Sequence, residues 1–477
     1  MSTTTTQAAD HGGIGGHPRG LTTLFFTEFW ERFSYYGMRA LLILFMTDTT
    51  TGGMGLDTAT AAAIYGFYTS AVYFMGVPGG WIADRLLGQR NAVLYGGVLI
   101  AMGHYSMAIN SRSTFYAGLV LIVLGTGLLK PNISSIVGQL YAPEDRRRDA
   151  GFSIFYMGIN MGAFFSPLVC GYLGQNVGWH WGFGAAGVGM TAGVIQYVLG
   201  SARLGEAGKL REVPKDAGKL WAAVISAVIA ITATFYFLWD YRDYVLLAGT
   251  IVVFWWLLGQ ARDSVETKRI WSIVAFFIFA LLFWAGFEQA GSSLNLFADR
   301  YTENSVIGMN FPSSFFQSVN PLAIIVLAPL FAWLWVRLGS KEPSSPAKFM
   351  LGLLFLSLGF LVIAGAAIVS AQGDGSRVSP MWLVVLYVLH TIGELCLSPV
   401  GLSTVTKLAP ERLVGSMMGV WFFAAALGNF VGGRIAGLFE TLPLPQLFGA
   451  VFITTGVSAV VLLFLIKPIR KLMGGVH

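Results

Sequence analysis

Apolar stretches of about 20 residues recur along the chain from Leu21 onwards, and short polar segments separate them. A helix needs about that length to cross roughly 30 Å of hydrocarbon, and lipid offers no partner for an unpaired backbone group. The alternating ten-residue segments typical of a membrane β-barrel do not occur in the sequence. The pattern therefore predicts an all-α polytopic membrane protein with fourteen transmembrane helices, at 21–46, 59–84, 92–110, 114–139, 150–173, 179–200, 219–239, 244–261, 271–298, 313–336, 347–370, 381–406, 413–438 and 446–466.

The composition excludes a water-soluble protein. Of the 477 residues, 55% are hydrophobic and 11% are charged, whereas a typical soluble domain is about 25% charged. The net charge of +6 comes from basic residues scattered along the chain, which are more simply interpreted as determinants of membrane topology than as a nucleic-acid surface. Neither a Walker loop nor a metal-ligand spacing of Cys and His occurs. We therefore expect no nucleic-acid partner, no metal and no cofactor.

The distribution of basic residues predicts the orientation of the chain. When both termini are placed in the cytoplasm, four basic residues fall in external loops: Arg112, Arg242, Arg300 and Arg377. Four others fall within the spans: Arg32, Arg39, Lys130 and Arg434. All remaining Lys and Arg residues then lie in cytoplasmic segments, as the positive-inside rule requires. We expect a multi-pass protein of the cell membrane with both termini cytoplasmic.

Two segments of the sequence are similar to each other. Residues 126–144 and 394–411 share a proline in mid-helix, a serine four residues later and a terminal Ala-Pro-Glu, which pairs the fourth span with the twelfth. Parallel repeats of this kind are typical of transporters whose site lies between the halves; chance recurrence of Pro and Ser is the alternative. The predicted organisation is a disordered tail at 1–20, a six-helix bundle at 21–203, a two-helix insertion with linkers at 204–270, a second six-helix bundle at 271–466 and a cytoplasmic tail at 467–477.

The first span carries a polar stripe. Glu28, Glu31, Arg32, Tyr35 and Arg39 are spaced so that they share one helix face. A charge at the bilayer centre costs about 2.5–3.5 kcal/mol, so these groups must pair with one another or line a water-filled path. Two carboxylates beside a single Arg32 leave one that can take up a proton. The stripe therefore indicates a proton-coupled switch, and a static salt-bridge cluster that orients the helix is the alternative.

Lys130 has no acidic residue on its own span. In the repeat alignment Lys130 corresponds to Ser398, and Glu394 lies one helical turn before that serine. A basic residue of one half and an acidic residue of the other could therefore meet across a central cavity. A purely structural counter-ion is the alternative for Lys130. Glu288 is also a functional candidate, since it is a carboxylate inside a span.

Several motifs resemble those of a known transporter family. Residues 79–88 (GGWIADRLLG) resemble the cytoplasmic loop signature of the major facilitator superfamily. Residues 28–37 (EFWERFSYYG) and 155–162 (FYMGINMG) resemble the ExxERFxYYG and FYxxINxG motifs of the proton-dependent oligopeptide transporters. Further matches are Lys130 before Pro131, Phe283-Trp284 followed by Glu288-Gln289 and Ser292-Ser293, and Gly393-Glu394 before Pro399. The resemblance covers the chain from about residue 21 and includes the two extra helices that bacterial members carry.

The resemblance implies a major facilitator fold, with two six-helix bundles and a two-helix insertion, in the bacterial inner membrane. It implies a proton-coupled symporter that imports di- and tripeptides by alternating access. Proton coupling is assigned to four residues: Glu28, Glu31, Arg32 and Glu288. Lys130 and Arg32 would attract the peptide carboxylate, and Glu394 would face the peptide amino group. A gate salt bridge between Lys130 and Glu394 would form when the cytoplasmic side closes.

Other residues are assigned to the peptide by the same resemblance. Asn160 and Asn320 would read the peptide backbone, although either could instead join helices with a hydrogen bond worth only about 0.6 kcal/mol. Aromatic walls would accept varied side chains, with ordinary packing as the alternative for each: Tyr35, Tyr36, Tyr68, Trp284 and Trp421. Arg39 fits a gate or scaffold role better than contact with substrate.

Two alternatives to peptide transport remain at the level of sequence. One is a transporter of the same fold for another small solute, such as nitrate or a sugar, although the presence of both Lys130 and Glu394 favours a zwitterion. The other is a polytopic membrane enzyme, which would require clustered His, a metal motif or a Ser/Lys dyad. We expect no enzyme activity, and the expected partners are peptides, protons and the lipid bilayer, with the protein acting as a monomer.

Overall fold

The computed structural model describes residues 12–142, 144–210, 214–226, 241–306, 308–373 and 376–474, which are almost entirely helical. The longer helices are α1 (Arg19–Thr47), α2 (Thr58–Phe74), α3 (Gly76–Ile82), α4 (Gln89–Ala108), α5 (Arg112–Gln139), α6 (Arg148–Tyr172), α7 (Trp179–Gly200), α8 (Arg242–Gly259), α9 (Ser264–Phe287), α10 (Ser293–Tyr301), α11 (Val319–Leu338), α12 (Ser345–Gln372), α13 (Met381–Leu408), α14 (Val414–Ala436) and α15 (Leu444–Leu472). Shorter elements are the 3-10 turns Ile14–Gly16, Ser201–Leu204, Glu288–Gly291, Ser313–Ser318, Gly339–Lys341 and Glu411–Leu413, the π turns Ala83–Leu87 and Leu173–Val177, and the antiparallel strands β1 (Ser305–Val306) and β2 (Met309–Asn310).

The predicted all-helical membrane architecture is confirmed. Within the described ranges, nine helices are long and apolar enough to cross a membrane. Each predicted span overlaps helical residues within the described ranges. For the seventh span, predicted at 219–239, residues up to 226 are helical, and the rest of that span lies outside the described residues.

The ninth predicted span is interrupted. α9 ends at Phe287, the chain continues as the 3-10 turn Glu288–Gly291, and α10 begins at Ser293. The sequence Glu-Gln-Ala-Gly at this break ends in a glycine, which is a poor helix former. A broken helix is tolerated at membrane depth where the freed backbone groups are buried in protein or line a cavity. The break therefore places Glu288 in irregular backbone between the two bundles.

The boundaries of the tails differ from the prediction. Residues 12–20 were predicted to belong to a disordered tail, but α1 begins at Arg19, and His17 is buried with its Nδ1 2.8 Å from the Tyr141 hydroxyl. An aromatic ring and a hydrogen-bond partner at the end of α5 thus hold this segment, a contact between distant residues that composition does not reveal. α15 also extends past the predicted boundary at 466, to Leu472. Residues 1–11 lie outside the described ranges.

Glycines allow helices to approach closely within the first bundle. A Cβ on Gly96 of α4 would lie 2.6 Å from the carbonyl oxygen of Gly125 on α5. A Cβ on Gly79 of α3 would lie 2.0 Å from the carbonyl oxygen of Gly127, also on α5. Such small-residue contacts are typical of helix packing in membranes. They bring the N-terminal bundle together tightly around α5, which carries Lys130.

Ion pairs attach the inserted helix α8 to the second bundle. Arg434 Nη2 on α14 lies 2.7 Å from Asp243 Oδ1 at the start of α8. After α8, Arg412 forms a 2.7 Å ion pair with Glu266, which lies in the first turn of α9. Arg434, one of the four basic residues predicted within spans, therefore has a partner in the insertion.

The two bundles meet at the end of the molecule where α1 finishes, which we call the closed end. Gly66 of α2 lies against Gly433 of α14, and a Cβ on either glycine would be 2.7 Å from the other's Cα. Hydrogen bonds also join the bundles there, among them Ser314 N to Gln175 Oε1 at 3.0 Å, Asn295 Nδ2 to Ala40 O at 2.8 Å, and the Thr58 hydroxyl to Glu440. Hydrogen bonds from Thr58 and Arg300 hold the pKa of Glu440 below its ordinary value, so this contact is ionised at neutral pH.

Replacing Gly66 by Val should disrupt this contact, because the added carbons overlap the backbone of α14. Overpacking of this kind costs about 1–3 kcal/mol, so the midpoint of thermal unfolding in detergent should fall. Gly76→Val is the matched control, since no atom lies within 4 Å of its Cβ position. Equal midpoints for the two variants would contradict a tight contact between α2 and α14.

Candidate functional site

The first charge cluster lies in the middle of α1. Arg32 Nε is 3.1 Å from Glu28 Oε1, and the same guanidinium forms an ion pair with Glu31. All three side chains are buried. The helix brings them together because Glu28 and Arg32 are one turn apart and Glu31 is adjacent to Arg32. We call these three residues the helix-one cluster.

The helix-one cluster contains two carboxylates and one guanidinium. Glu28 Oε2, Glu31 Oε1 and Arg32 Nη2 have no hydrogen-bond partner in the described part of the chain. Buried polar atoms without partners are rare and costly. The cluster therefore has the composition and the free hydrogen-bonding capacity needed to bind a proton or a charged ligand group.

Lys130 lies beside the helix-one cluster. Its ammonium is 4.3 Å from the ring centroid of Tyr73 on α2, a cation–π contact, and the charges of Arg32, Glu31 and Glu28 all act on it. Between the described residues, no ion pair joins Lys130 to Glu394 in this conformation. The predicted gate salt bridge thus stays a prediction for a different state of the molecule.

A second charge cluster joins the two bundles. Arg39 Nη2 of α1 donates to Glu288 Oε2 at 2.6 Å, and Arg39 Nε donates to the Tyr65 hydroxyl of α2 at 2.7 Å. The guanidinium also lies over the Tyr36 ring, 5.5 Å from its centroid. Gly291 is required here, because a Cβ at that position would be 1.8 Å from the Tyr65 hydroxyl. The Arg39–Glu288 pair therefore connects α1 to the break after α9.

Glu394 is held on the second bundle by an amide. Asn320 Nδ2 of α11 donates to Glu394 Oε2 at 3.1 Å and lies 2.9 Å from the Thr391 hydroxyl. Thr391 in turn donates to the carbonyl oxygen of Tyr387 at 2.7 Å. In the part of the chain that the structure describes, Glu394 has no basic partner. Its carboxylate is oriented by neutral groups and remains available to a cation.

A cavity of about 170 Å³ lies between the bundles, next to the Arg39–Glu288 pair and to Glu394 with its partner Asn320. The N-terminal bundle contributes Tyr36, Arg39, Tyr73, Tyr156, Ile159, Asn160 and Ala163. The C-terminal bundle contributes Trp284, Phe287, Glu288, Ala290, Gln317, Asn320, Pro321, Ile324, Tyr387, His390, Glu394 and Ser398. Aromatic rings, amides and charges of both signs therefore surround one space at the interface of the two halves.

Half of the residues predicted to bind substrate line this cavity: Tyr36, Asn160, Trp284, Asn320 and Glu394. Four others are not in its wall, namely Arg32, Tyr35, Tyr68 and Lys130. They lie on α1, α2 and α5, of which α1 and α2 contribute other residues to the cavity wall. Lys130 on α5 contacts the ring of Tyr73, which lines the cavity.

Trp421 is not at the cavity. Its side chain is buried, and its ring packs against Phe349 with ring centroids 6.0 Å apart. The indole fills the space left by Gly401, where a Cβ would be 2.0 Å from the ring. In this conformation Trp421 packs between α14 and its neighbours α12 and α13, and its contact with substrate stays a prediction.

Sequence reasoning missed several polar residues of the cavity wall: Tyr73, Tyr156, Gln317 and Tyr387. A signal existed for two of them. Tyr156 lies inside the 155–162 motif, and Tyr387 precedes Glu394 by two helical turns on the same face. Gln317 lies in the 3-10 turn before α11, and no periodic pattern could have placed it.

The described residues contain no group of three or more His, Cys, Asp or Glu side chains that could hold a metal ion. The chemistry that the arrangement offers is ionic. It can bind groups of either charge and transfer a proton to a buried carboxylate.

The chain is similar to known transporters over almost its whole length. A model of the POT family matches residues 90–450. The peptide transporter YePEPT of Yersinia enterocolitica is 43% identical over 488 aligned residues, which cover 96% of each chain. A di-/tripeptide transporter of Lactococcus lactis is 37% identical and covers 97% of this chain and 98% of its own. A crystal structure of the peptide transporter POT in complex with sulfate superposes with a TM-score of 0.90 at 42% identity, covering 98% of both chains.

Neutralising Glu288 should loosen the closed end. Glu288→Gln keeps a hydrogen-bond acceptor for Arg39 but removes the charge that compensates the buried guanidinium, and an uncompensated buried charge is costly. We expect a larger population of molecules with separated bundles. Double electron–electron resonance between spin labels at Thr49 and Leu442, which are exposed near the closed end, would record it as a longer distance.

The measurement uses a background in which Cys170 and Cys396 are replaced by Ala, since both are free thiols. Glu303→Gln is the control, because Glu303 is exposed and lies outside the Arg39–Glu288 pair. Indistinguishable distance distributions for Glu288→Gln and Glu303→Gln would show that the ion pair does not hold the closed end.

Proposed function

Because the chain belongs to the POT family, a family of major facilitator transporters, we propose that it imports di- and tripeptides together with protons by alternating access. The Yersinia and Lactococcus relatives carry names that describe peptide transport, and each covers at least 96% of this chain. Transport of nitrate or a sugar is not favoured, since both of these relatives are named for peptides. The family also argues against the alternative of a membrane enzyme.

The observation that best supports a peptide substrate is the placement of opposite charges around one cavity. Glu394 lines the cavity from the second bundle, and Lys130 lies behind Tyr73 on the first. A peptide is a zwitterion whose two ends carry opposite charges. The amino group would bind Glu394, and the carboxylate would be attracted by Lys130 and Arg32. A bound peptide would therefore compensate charges on both bundles at once.

The peptide backbone and side chains would meet neutral groups. Asn160 lines the cavity with its Nδ2 donating to the Tyr156 carbonyl oxygen, which leaves the amide oxygen as an acceptor for a peptide N–H. Tyr36 and Trp284 supply aromatic surface from opposite bundles. Such surface accepts side chains of different shape, so the site would recognise the backbone and charged ends more strictly than the side chains.

Proton coupling would use both charge clusters. In the helix-one cluster, a proton on Glu28 or Glu31 leaves one carboxylate to balance Arg32. In the cluster between the bundles, a proton on Glu288 removes the charge that holds Arg39 and would release the closed end. Downhill entry of one proton contributes about 2.3 kcal/mol per 100 mV of membrane potential. The proton gradient would thus supply the energy for peptide uptake, and the proposed mechanism requires no cofactor.

In alternating access, the closed end would open while the opposite end of the molecule closes. The closed end carries the loops predicted to be external, so the structure corresponds to a state facing the cytoplasm under the proposed topology. When the cytoplasmic side closes, the cytoplasmic end of α5 would approach the cytoplasmic end of α13. Lys130 of α5 would then pair with Glu394 of α13. We propose a monomer in the bacterial inner membrane, with both termini cytoplasmic.

The direct test is uptake of labelled Ala-Ala into proteoliposomes under an inward proton gradient. Wild-type protein should accumulate the dipeptide, and unlabelled peptides, but not nitrate or sugars, should compete. Glu28→Gln and Glu31→Gln should each lower gradient-driven uptake at least about tenfold, the factor that corresponds to 1.4 kcal/mol. Counterflow exchange, which needs no net proton movement, should be much less affected.

Glu206→Gln serves as the control for these variants. Its carboxylate is exposed and pairs with Lys209. Neither residue belongs to a charge cluster of the candidate site. Equal loss of driven uptake and counterflow in Glu28→Gln would indicate a structural role for the helix-one cluster. Wild-type uptake that is the same with and without the proton gradient would contradict the proposal of proton coupling.

A further inference from the structure

A histidine in the wall of the cavity between the bundles has no part in the binding of the peptide ends described above. His390 lies on α13 among the residues that line the cavity, and it is 1% exposed. It precedes Glu394 by one helical turn, so the two side chains share one face of the helix. His390 is thus the neighbour of the carboxylate that would bind the peptide amino group.

Packing fixes the orientation of the His390 ring. Its centroid is 5.0 Å from that of Phe360 and 6.2 Å from that of Phe287. A Cβ on Gly359 of α12 would be 2.4 Å from His390 Cδ2 and 2.5 Å from Nε2, so this edge of the ring lies against α12. The backbone of Leu356, also on α12, interacts with the ring as well. The edge that carries Nδ1 therefore points away from α12.

The Nδ1 atom of His390 has no hydrogen-bond partner within the described ranges. In the part of the wall that the structure describes, His390 is the only residue with a fully buried polar side-chain atom that lacks a partner. Neighbouring polar groups are paired: the Tyr387 hydroxyl lies 3.5 Å from Ala290 O, and Asn320 donates to Glu394. Buried polar atoms without partners are rare, so this nitrogen is available to a group that enters the cavity.

A bound peptide would place its first side chain beside His390. That side chain is attached to the same carbon as the amino group, which would bind Glu394. The carboxylate would lie towards Lys130, which the repeat alignment pairs with Ser398, one turn beyond Glu394 on the side away from His390. The side of Glu394 towards His390 is therefore left to the first side chain. Residues one turn apart have Cβ atoms about 5–6 Å apart, a distance that a short side chain can span.

We propose that His390 is a specificity-determining residue whose imidazole forms a hydrogen bond with a hydroxyl group on the first side chain of the peptide. The inference rests on the proposed function. A hydroxyl group can donate or accept, so it matches either tautomer of the ring. A methyl group of the same shape would leave the buried nitrogen without a partner, and such a site discriminates against that ligand. The protein should therefore prefer Thr over the isosteric Val at the first position.

The test is competition with the uptake of labelled Ala-Ala into proteoliposomes under an inward proton gradient. The competitors are two pairs of isosteric dipeptides: Thr-Ala with Val-Ala, and Ala-Thr with Ala-Val. In the wild type, the half-inhibitory concentration of Thr-Ala should be at least about fivefold lower than that of Val-Ala, a factor within the range of one net hydrogen bond. The second pair, in which the hydroxyl is on the other residue, should show a smaller difference.

Two variants locate the preference. His390→Phe keeps a ring between Phe287 and Phe360 but removes both nitrogens, so it should abolish the preference for Thr-Ala and leave the ratio for Ala-Thr and Ala-Val as in the wild type. Ser398→Ala is the matched control, because Ser398 also lines the cavity one turn from Glu394, on the opposite side from His390. It should keep the wild-type preference. Each comparison is a ratio within one variant, so a general loss of uptake does not imitate the result.

The inference is overturned if the wild type shows no preference for Thr-Ala over Val-Ala, a result that requires no variant to fold. It is also overturned if the preference persists in His390→Phe or disappears equally in Ser398→Ala. Absence of Ala-Ala uptake would contradict the proposed function and this inference with it, whereas uptake without the preference contradicts this inference alone. Thermal unfolding midpoints equal to that of the wild type establish that the variants are folded.

Discussion

The structure depends on one constraint: charges buried among apolar helices must be compensated by other charges. Arg39 and Glu288 satisfy this constraint across the interface of the two bundles, at a donor–acceptor distance of 2.6 Å. Removing one partner of such a pair costs about 3–5 kcal/mol, whereas keeping both leaves the halves joined. The ion pair that compensates these two charges therefore also connects the bundles. Any event that changes the charge of Glu288 changes the contact between them.

The other charged residues are compensated to different degrees, and that difference separates functional residues from those that only support the fold. Arg434 pairs with Asp243 and attaches the insertion. The helix-one cluster, in contrast, retains carboxylate and guanidinium atoms without hydrogen-bond partners, and Glu394 is held only by neutral groups. Lys130 rests on an aromatic ring rather than on a carboxylate. A zwitterion and a proton are the species that would complete these arrangements, so incomplete compensation points to the transported ligands.

The positions of the spans and of the helix-one cluster were predictable from the sequence, because both depend on residues that are close together along the chain. Hydropathy located the spans, and helical spacing placed Glu28 beside Arg32. The contacts that sequence did not predict join distant residues: His17 with Tyr141, Arg39 with Glu288, and Trp421 with Gly401. Hydropathy could not predict that the Trp421 ring packs against Gly401, because a tryptophan in a span has the same hydropathy whether it lines a cavity or fills the gap above a glycine. Tertiary packing decides between the two.

The central claim is that peptide and proton enter together because both are needed to balance the buried charges. The most direct test is to record luminal pH with pyranine in proteoliposomes that start with equal pH on both sides, under an inside-negative potential. Addition of an external neutral dipeptide should acidify the lumen, and free amino acids should not. Peptide entry without any luminal acidification would contradict the account.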